Sequence, residues 1–131
     1  MEAASIFLFT SDRNEGWGAV LNESMNSGCA VVACDAIGAV PFLMKDGENG
    51  LCYHSGNQNE LYEKVKYLLE NPQVCRKLGE NAYDTMITMW NAEVAAERLV
   101  RLVECLQKGE DTPFLHGPCS KAEILKDNAV K

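Results

Sequence analysis

The chain has 131 residues, the length of one small domain, and its 47% hydrophobic and 24% charged residues exclude a disordered, collagen-like or coiled-coil chain. Nineteen acidic against twelve basic side chains give a net charge of −7, which repels phosphate backbones and argues against a nucleic-acid or anionic-membrane binder, though a small anion can still be held by local backbone dipoles. Cys29, Cys34, Cys52, Cys75, Cys105 and Cys119 include no CxxC pair, so they do not space a zinc site; with no signal peptide and no apolar run long enough for a bilayer, they read as reduced thiols of a cytoplasmic protein.

Ser5-Ile6-Phe7-Leu8-Phe9-Thr10 is an apolar run rich in β-formers, and Ala30-Val31-Val32-Ala33-Cys34 is another. Neither alternates as a half-exposed strand does, so both are expected to be buried on two faces, the habit of parallel strands covered by helices. The segment between them is long enough for a crossover helix, predicted from about Gly18 to Ser27 and stopped at Gly28. The fold class is therefore α/β: a partial Rossmann-like parallel sheet of about three strands, with a helical second half.

Asp46-Gly47-Glu48-Asn49-Gly50 is dense in turn formers, and Leu51-Cys52-Tyr53 behind it reads as the third strand. Asn57 and Glu60 have capping-box spacing at the start of a helix whose face is Leu61, Val65, Leu68 and Leu69 and whose end is Asn71-Pro72. Val74, Leu78, Ala82 and Met86 mark the next helix, and Asn91 is placed to cap a last one carrying Ala95, Leu99, Leu102, Val103 and Leu106 to a stop at Gly109. Residues 110–131 lose the periodicity and contain Pro113, Gly117 and Pro118, so they read as a tail with one weak helical turn near Ala122 to Lys126. The expected division is a domain over 1–109 and a tail over 110–131.

The chemistry concentrates in Glu15-Gly16-Trp17-Gly18-Ala19-Val20-Leu21-Asn22-Glu23, between the first strand and its helix. Ligands of open parallel sheets collect there, where a strand's carboxyl end meets free N–H groups at the next helix start. Gly16 and Gly18 let the backbone approach a ligand closely. Glu15 and Glu23 lie eight positions apart, about 12 Å at helical rise, a span that suits a nucleotide sugar. Both carboxylates would then accept hydrogen bonds from hydroxyls, Glu15 from the sugar and Glu23 from the ribose.

At these residues the chain resembles the retaining glycosyltransferases of the GT-B fold known as glycosyl transferases group 1, the large family four. The resemblance rests on the E-x7-E motif of EGWGAVLNE, on SGCAVVACD and on DGENGLCY, and it extends through the helices to about Gly109. It implies that the chain is the C-terminal part of the donor-binding domain. Glu15 would contact the donor sugar as the catalytic glutamate, the backbone of Gly16, Trp17, Gly18, Ala19 and Val20 would approach sugar and diphosphate, and Glu23 would hold the ribose. Such transfers keep the anomeric configuration and need neither a metal nor another cofactor. The family's acceptor domain, and the donor-domain strands that carry a basic pair for the diphosphate, have no counterpart in these residues. The chain alone is therefore expected to be inactive, with residues 6 to 10 lying mid-sheet in the whole protein and leaving an open edge here that invites self-association. Acceptor binding, and any peripheral attachment to the inner face of a membrane, would belong to the other half. Asp35-Ala36-Ile37-Gly38-Ala39-Val40-Pro41-Phe42 departs from the family's Gly-Gly-x-Pro-Glu turn, with one Gly and a Phe for the Glu, which leaves the preferred nucleotide open.

Plainer readings stand beside these. Two glutamates at a helix start also serve the helix dipole alone, and Trp17 reads equally as a sugar-stacking ring or a packing anchor. His54 and His116 read as isolated solvated imidazoles, Arg13 as a residue within reach of a phosphate or, more plainly, a solvated surface arginine beside acids, and Lys64, Lys66 and Arg76 as exposed helix faces. The competing function class is a non-catalytic α/β module that binds a nucleotide or sugar phosphate.

Overall fold

The computed structural model describes residues 4–121. Its centre is β2 (Ala30–Cys34), every residue of which is buried, as a continuous apolar run with β-branched residues requires. β1 (Ile6–Phe9) pairs with it on one side and β3 (Leu51–Tyr53) on the other, both parallel, so the sheet order is β1-β2-β3. Ile6 faces Ala30 and Phe9 faces Ala33 across the first pairing, and Val32 faces Leu51 across the second.

The expectation of two buried faces holds for β2 and fails for β1. Ile6 and Phe7 are half-buried and Leu8 is 45% exposed, whereas Phe9 is buried. The cause is position: β1 is an edge strand, and the face that Leu8 presents is uncovered.

The crossover from β1 to β2 is α1 (Val20–Asn26), which starts two residues later than the pattern suggested. Its end is a Schellman turn: Gly28 sits at φ +71°, its N–H donates to the Met25 carbonyl, and the N–H of Cys29 donates to that of Ser24. A short helix the sequence reading did not anticipate, α2 (Val40–Leu43), follows β2 and carries Pro41 in its first turn. α3 (Gln58–Glu70) begins at Asn57, whose side chain accepts from the Glu60 N–H at 3.1 Å. The box is only half closed there, since the Glu60 carboxylate accepts from the backbone N–H of His54 at 2.9 Å and meets His54 Nδ1 at 2.8 Å. His54 is thus exposed and paired, which corrects the reading of it as isolated. Lys64 likewise is no solvated helix face: it lies 3.3 Å from Asp46 and 3.9 Å from Glu60, tying α3 to the turn before β3.

α4 (Pro72–Thr88) packs on both α1 and β2 through Cys75, Leu78, Ala82 and Met86. The described residues form two compact units that divide between Asn91 and Ala92, so α5 (Ala92–Gln107) groups with the segment after it. In this second unit Arg98 lies 4.6 Å over the Phe114 ring and donates to the carbonyls of His116 and Pro118, while Lys121 pairs with Asp111 at 2.6 Å. None of α5 is buried, and Leu99, Val100, Val103 and Leu106 are exposed. The weak helical turn expected near Ala122 to Lys126 falls outside the described residues. Among the described residues no helix is long and apolar enough to cross a membrane.

Candidate functional site

The stretch singled out in the sequence lies at the carboxyl end of β1, where the chain turns into α1. The approach is a tight turn, with the Asn14 N–H on the Asp12 carboxylate at 2.8 Å and the Glu15 N–H on the Asp12 carbonyl at 3.0 Å. Glu15 emerges half-buried, its Oε2 accepting from the Ser11 hydroxyl at 3.3 Å. That leaves lone pairs on both carboxylate oxygens for a ligand.

Gly18 has two reasons to be glycine. Its φ is +77°, and a Cβ there would lie 2.7 Å from the Phe9 ring, so the last residue of β1 forms the floor under the loop. Among the described residues, the N–H groups of Gly16, Trp17, Gly18, Ala19 and Val20 donate to no acceptor in the chain. A run of five such donors is unusual for ordered backbone, which almost always pairs its N–H groups with protein or water. Glu23 follows in the first turn of α1, exposed, at the rim of a hollow of about 290 Å³ lined by Asn22, Asn26, Met86, Ile87 and Trp90.

Trp17 proves to be both packed and open. Its ring stands 5.8 Å from Phe42 and 5.7 Å from Trp90, and its Nε1 donates to Asn22 at 2.9 Å, yet 42% of the residue stays exposed. The predicted residues 15–19 are thus contiguous on one loop, Val20 opens α1, and Glu23 follows within its first turn.

The sequence reading missed what stands behind this loop. Ala39 donates its N–H to the Trp17 carbonyl at 3.2 Å, and Gly38 lies directly against the Gly16 carbonyl. The signal available was the lone glycine of the Asp35–Phe42 turn. The turn at 46–50 has a second hidden support in Asn49, which is buried, donates to the Leu43 carbonyl at 2.9 Å and to Thr85 Oγ1 at 3.1 Å, and accepts from the Lys45 N–H at 2.7 Å. A larger hollow of about 690 Å³ opens at the opposite, amino end of β1, bordered by Ser5, Ser27, Gly28, Cys75, Arg76 and Tyr83 among others; none of the predicted site residues reaches it.

The family model for glycosyl transferases group 1 matches residues 1–85, which include both strands flanking the loop and the whole of the E-x7-E motif. The chain belongs to this family. An uncharacterised glycosyltransferase of Methanocaldococcus jannaschii is 37% identical over 75 residues, covering 57% of this chain and 21% of that protein. A trehalose synthase of Pyrococcus horikoshii is 38% identical over 80 residues, covering 61% of this chain and 18% of that protein. The chain thus spans about a fifth of the length of these relatives.

Solved structures agree on the glycosyltransferase fold. The C-terminal domain of a group 1 glycosyl transferase from Francisella tularensis matches with a TM-score of 0.62 at 31% identity, over 67% of this chain and 44% of that domain. The Anabaena protein HepE in complex with UDP matches with a TM-score of 0.71 at 25% identity, over 79% of this chain and 28% of that protein. The parallel sheet with its helices is accordingly that of a GT-B C-terminal domain.

Proposed function

We propose that this chain carries part of the donor pocket of a retaining, family-four glycosyltransferase that moves a sugar from a nucleotide diphosphate to an acceptor. Glu15 touches the donor sugar, the amides of Gly16 to Val20 face sugar and diphosphate, and Glu23 accepts hydrogen bonds from the ribose hydroxyls. The observation that carries this reading is the run of unpaired N–H groups over residues 16–20, bracketed by the two glutamates of the motif. Preorganised donors cost no reorganisation when charge develops on the departing diphosphate, which is what a transferase needs at that point. HepE, a structural neighbour, has been crystallised with UDP and with UDP-glucose, which supports a nucleotide sugar as the ligand class.

The donor chemistry assigned here calls on no metal. Residues 1–109 form the donor-side portion and 110–131 its tail, the acceptor is held by the other half of the enzyme, and the chain alone does not turn over. Its exposed β1 edge favours self-association when the chain is isolated, and the enzyme works in the cytoplasm, with any contact to the membrane's inner face made by the acceptor half.

The test is calorimetric titration of the chain with UDP, GDP and ADP at millimolar concentration, beside Glu23→Ala. Saturable binding of one nucleotide, lost in the variant, is the expected result and names the base. Binding that survives Glu23→Ala unchanged would remove the ribose contact from the account.

A further inference from the structure

We infer that Gly38, on the turn after β2, is a positioning residue for the donor loop: it sets the height of the Gly16–Trp17 peptide and so the place where that loop meets the ligand. The inference rests on the proposed donor site and adds to it a residue that touches no ligand. Three observations converge on it.

The first is distance. A Cβ on Gly38 would lie 1.9 Å from the Gly16 carbonyl oxygen and 3.0 Å from its carbon, about 1.5 Å inside the 3.4 Å at which ordinary contact begins. The obstacle is backbone and has no rotamer by which to move aside. Gly38 has no positive φ, so a side chain there is refused by the loop and not by the local backbone.

The second is a hydrogen bond. Ala39, next in the chain, donates its N–H to the Trp17 carbonyl at 3.2 Å, so the turn both spaces the loop and holds it. The third is rigidity behind the turn. Ile37 and Ala39 are fully buried, Ile37 donates its N–H to the Cys34 carbonyl at the end of β2, and Val40 donates to that of Ile37. The Phe42 ring of the same segment lies 5.8 Å from the Trp17 ring. The loop thus rests on the Phe9 ring at Gly18 and on Gly38 at Gly16, and the open N–H groups run from the second of these supports past the first into α1. Two close-packed supports turn a short, helix-free loop into a fixed donor array, which is how a site avoids reorganising when its ligand arrives.

The test uses Gly38→Ala in the full chain, read by the backbone amide resonances of residues 16–18 and by calorimetric affinity for UDP, GDP and ADP. The expected result is that these resonances shift while those of Val31, Val32 and Leu68 stay in place, and that affinity falls by roughly tenfold, the scale of one hydrogen bond lost between loop and ligand. Ala39→Pro is the second variant; Ala39 sits at φ −80°, which proline accepts, and the change deletes the N–H that holds Trp17. It should weaken binding in the same direction. Unchanged affinity in either folded variant, with wild-type binding intact, overturns the positioning role alone. Absence of nucleotide binding by the wild-type chain overturns the donor-site reading and the proposal with it. Loss of folding in both variants also overturns the proposal, because the turn would then be a core support and not a device that places the loop.

Discussion

Gly79 lies in the middle of α4, where replacing glycine by alanine is ordinarily stabilising by about 1 kcal/mol through helix propensity. In this protein Gly79→Ala should do the reverse. A Cβ at Gly79 would stand 2.1 Å from the Gly28 carbonyl oxygen and 3.1 Å from its carbon, so α4 and the turn before β2 must part by about 1.3 Å to restore a 3.4 Å contact. Neither side yields easily. Gly28 is fixed by the Schellman turn that ends α1, and the Ala30 that follows two residues later donates its N–H to the Ser5 carbonyl as β2 begins. α4 in turn is held by buried Leu78, Ala82 and Met86, whose packing would loosen as the helix lifts. Overpacking of this kind costs about 1–3 kcal/mol, and a backbone obstacle places the cost near the top of that range. Set against the propensity gain, the net loss should be about 2 kcal/mol. Urea denaturation followed by circular dichroism measures it, with Glu80→Ala, an exposed neighbour on the same helix, as the control expected within about 0.5 kcal/mol of the parent. A Gly79→Ala chain as stable as the parent, or more so, would refute the close packing of α4 on the α1 terminus.

Other consequences follow from the two supported turns. Asn49→Ala deletes three hydrogen bonds and leaves the Lys45 N–H and Leu43 carbonyl without that partner, so unfolding free energy should drop by about 2–4 kcal/mol, measured by the same denaturation. The His54–Glu60 pair gives a pH dependence: hydrogen bonding to Glu60 raises His54 above its ordinary 6.5, and the His54 backbone N–H followed by its ring lowers Glu60 below its ordinary 4.5. The histidine's contribution is fully present below 6.5 and fades as pH rises through its raised value, while the glutamate's is present above 4.5 and fades as pH falls through its lowered one. Stability at pH 5.5 should therefore exceed that at pH 8 by more in the parent than in His54→Gln, and an NMR titration should place the imidazole above 6.5. Equal pH profiles of parent and variant would show that the pair adds nothing.

Much of the fold was legible because its signals are local. An uninterrupted apolar run at Ala30 to Cys34, a glycine at 28, Asn57 ahead of Glu60 and Asn71 before Pro72 each dictate an element from within a few residues. The burial of β1 was misjudged because composition reports what a strand can tolerate, and edge position depends on which strands lie beside it. His54 and Lys64 were misjudged for a related reason: their partners Glu60 and Asp46 are six and eighteen residues away and meet them only once α3 folds back on the β3 turn. At the site, the glutamates and glycines of residues 15–23 were readable as a motif, whereas Gly38 was not. Its neighbour is a peptide carbonyl 22 residues away, and a contact between two backbones leaves no trace in side-chain chemistry beyond the glycine itself.

The most direct measurement is a map of amide resonances in the isotopically labelled chain as UDP, GDP and ADP are added in turn. Perturbations concentrated at Gly16 to Val20 and Glu23 for one of the three are what the donor-site account predicts. Perturbations gathered instead around Ser27, Gly28, Cys75 and Arg76, at the larger hollow on the amino side of the sheet, would contradict it.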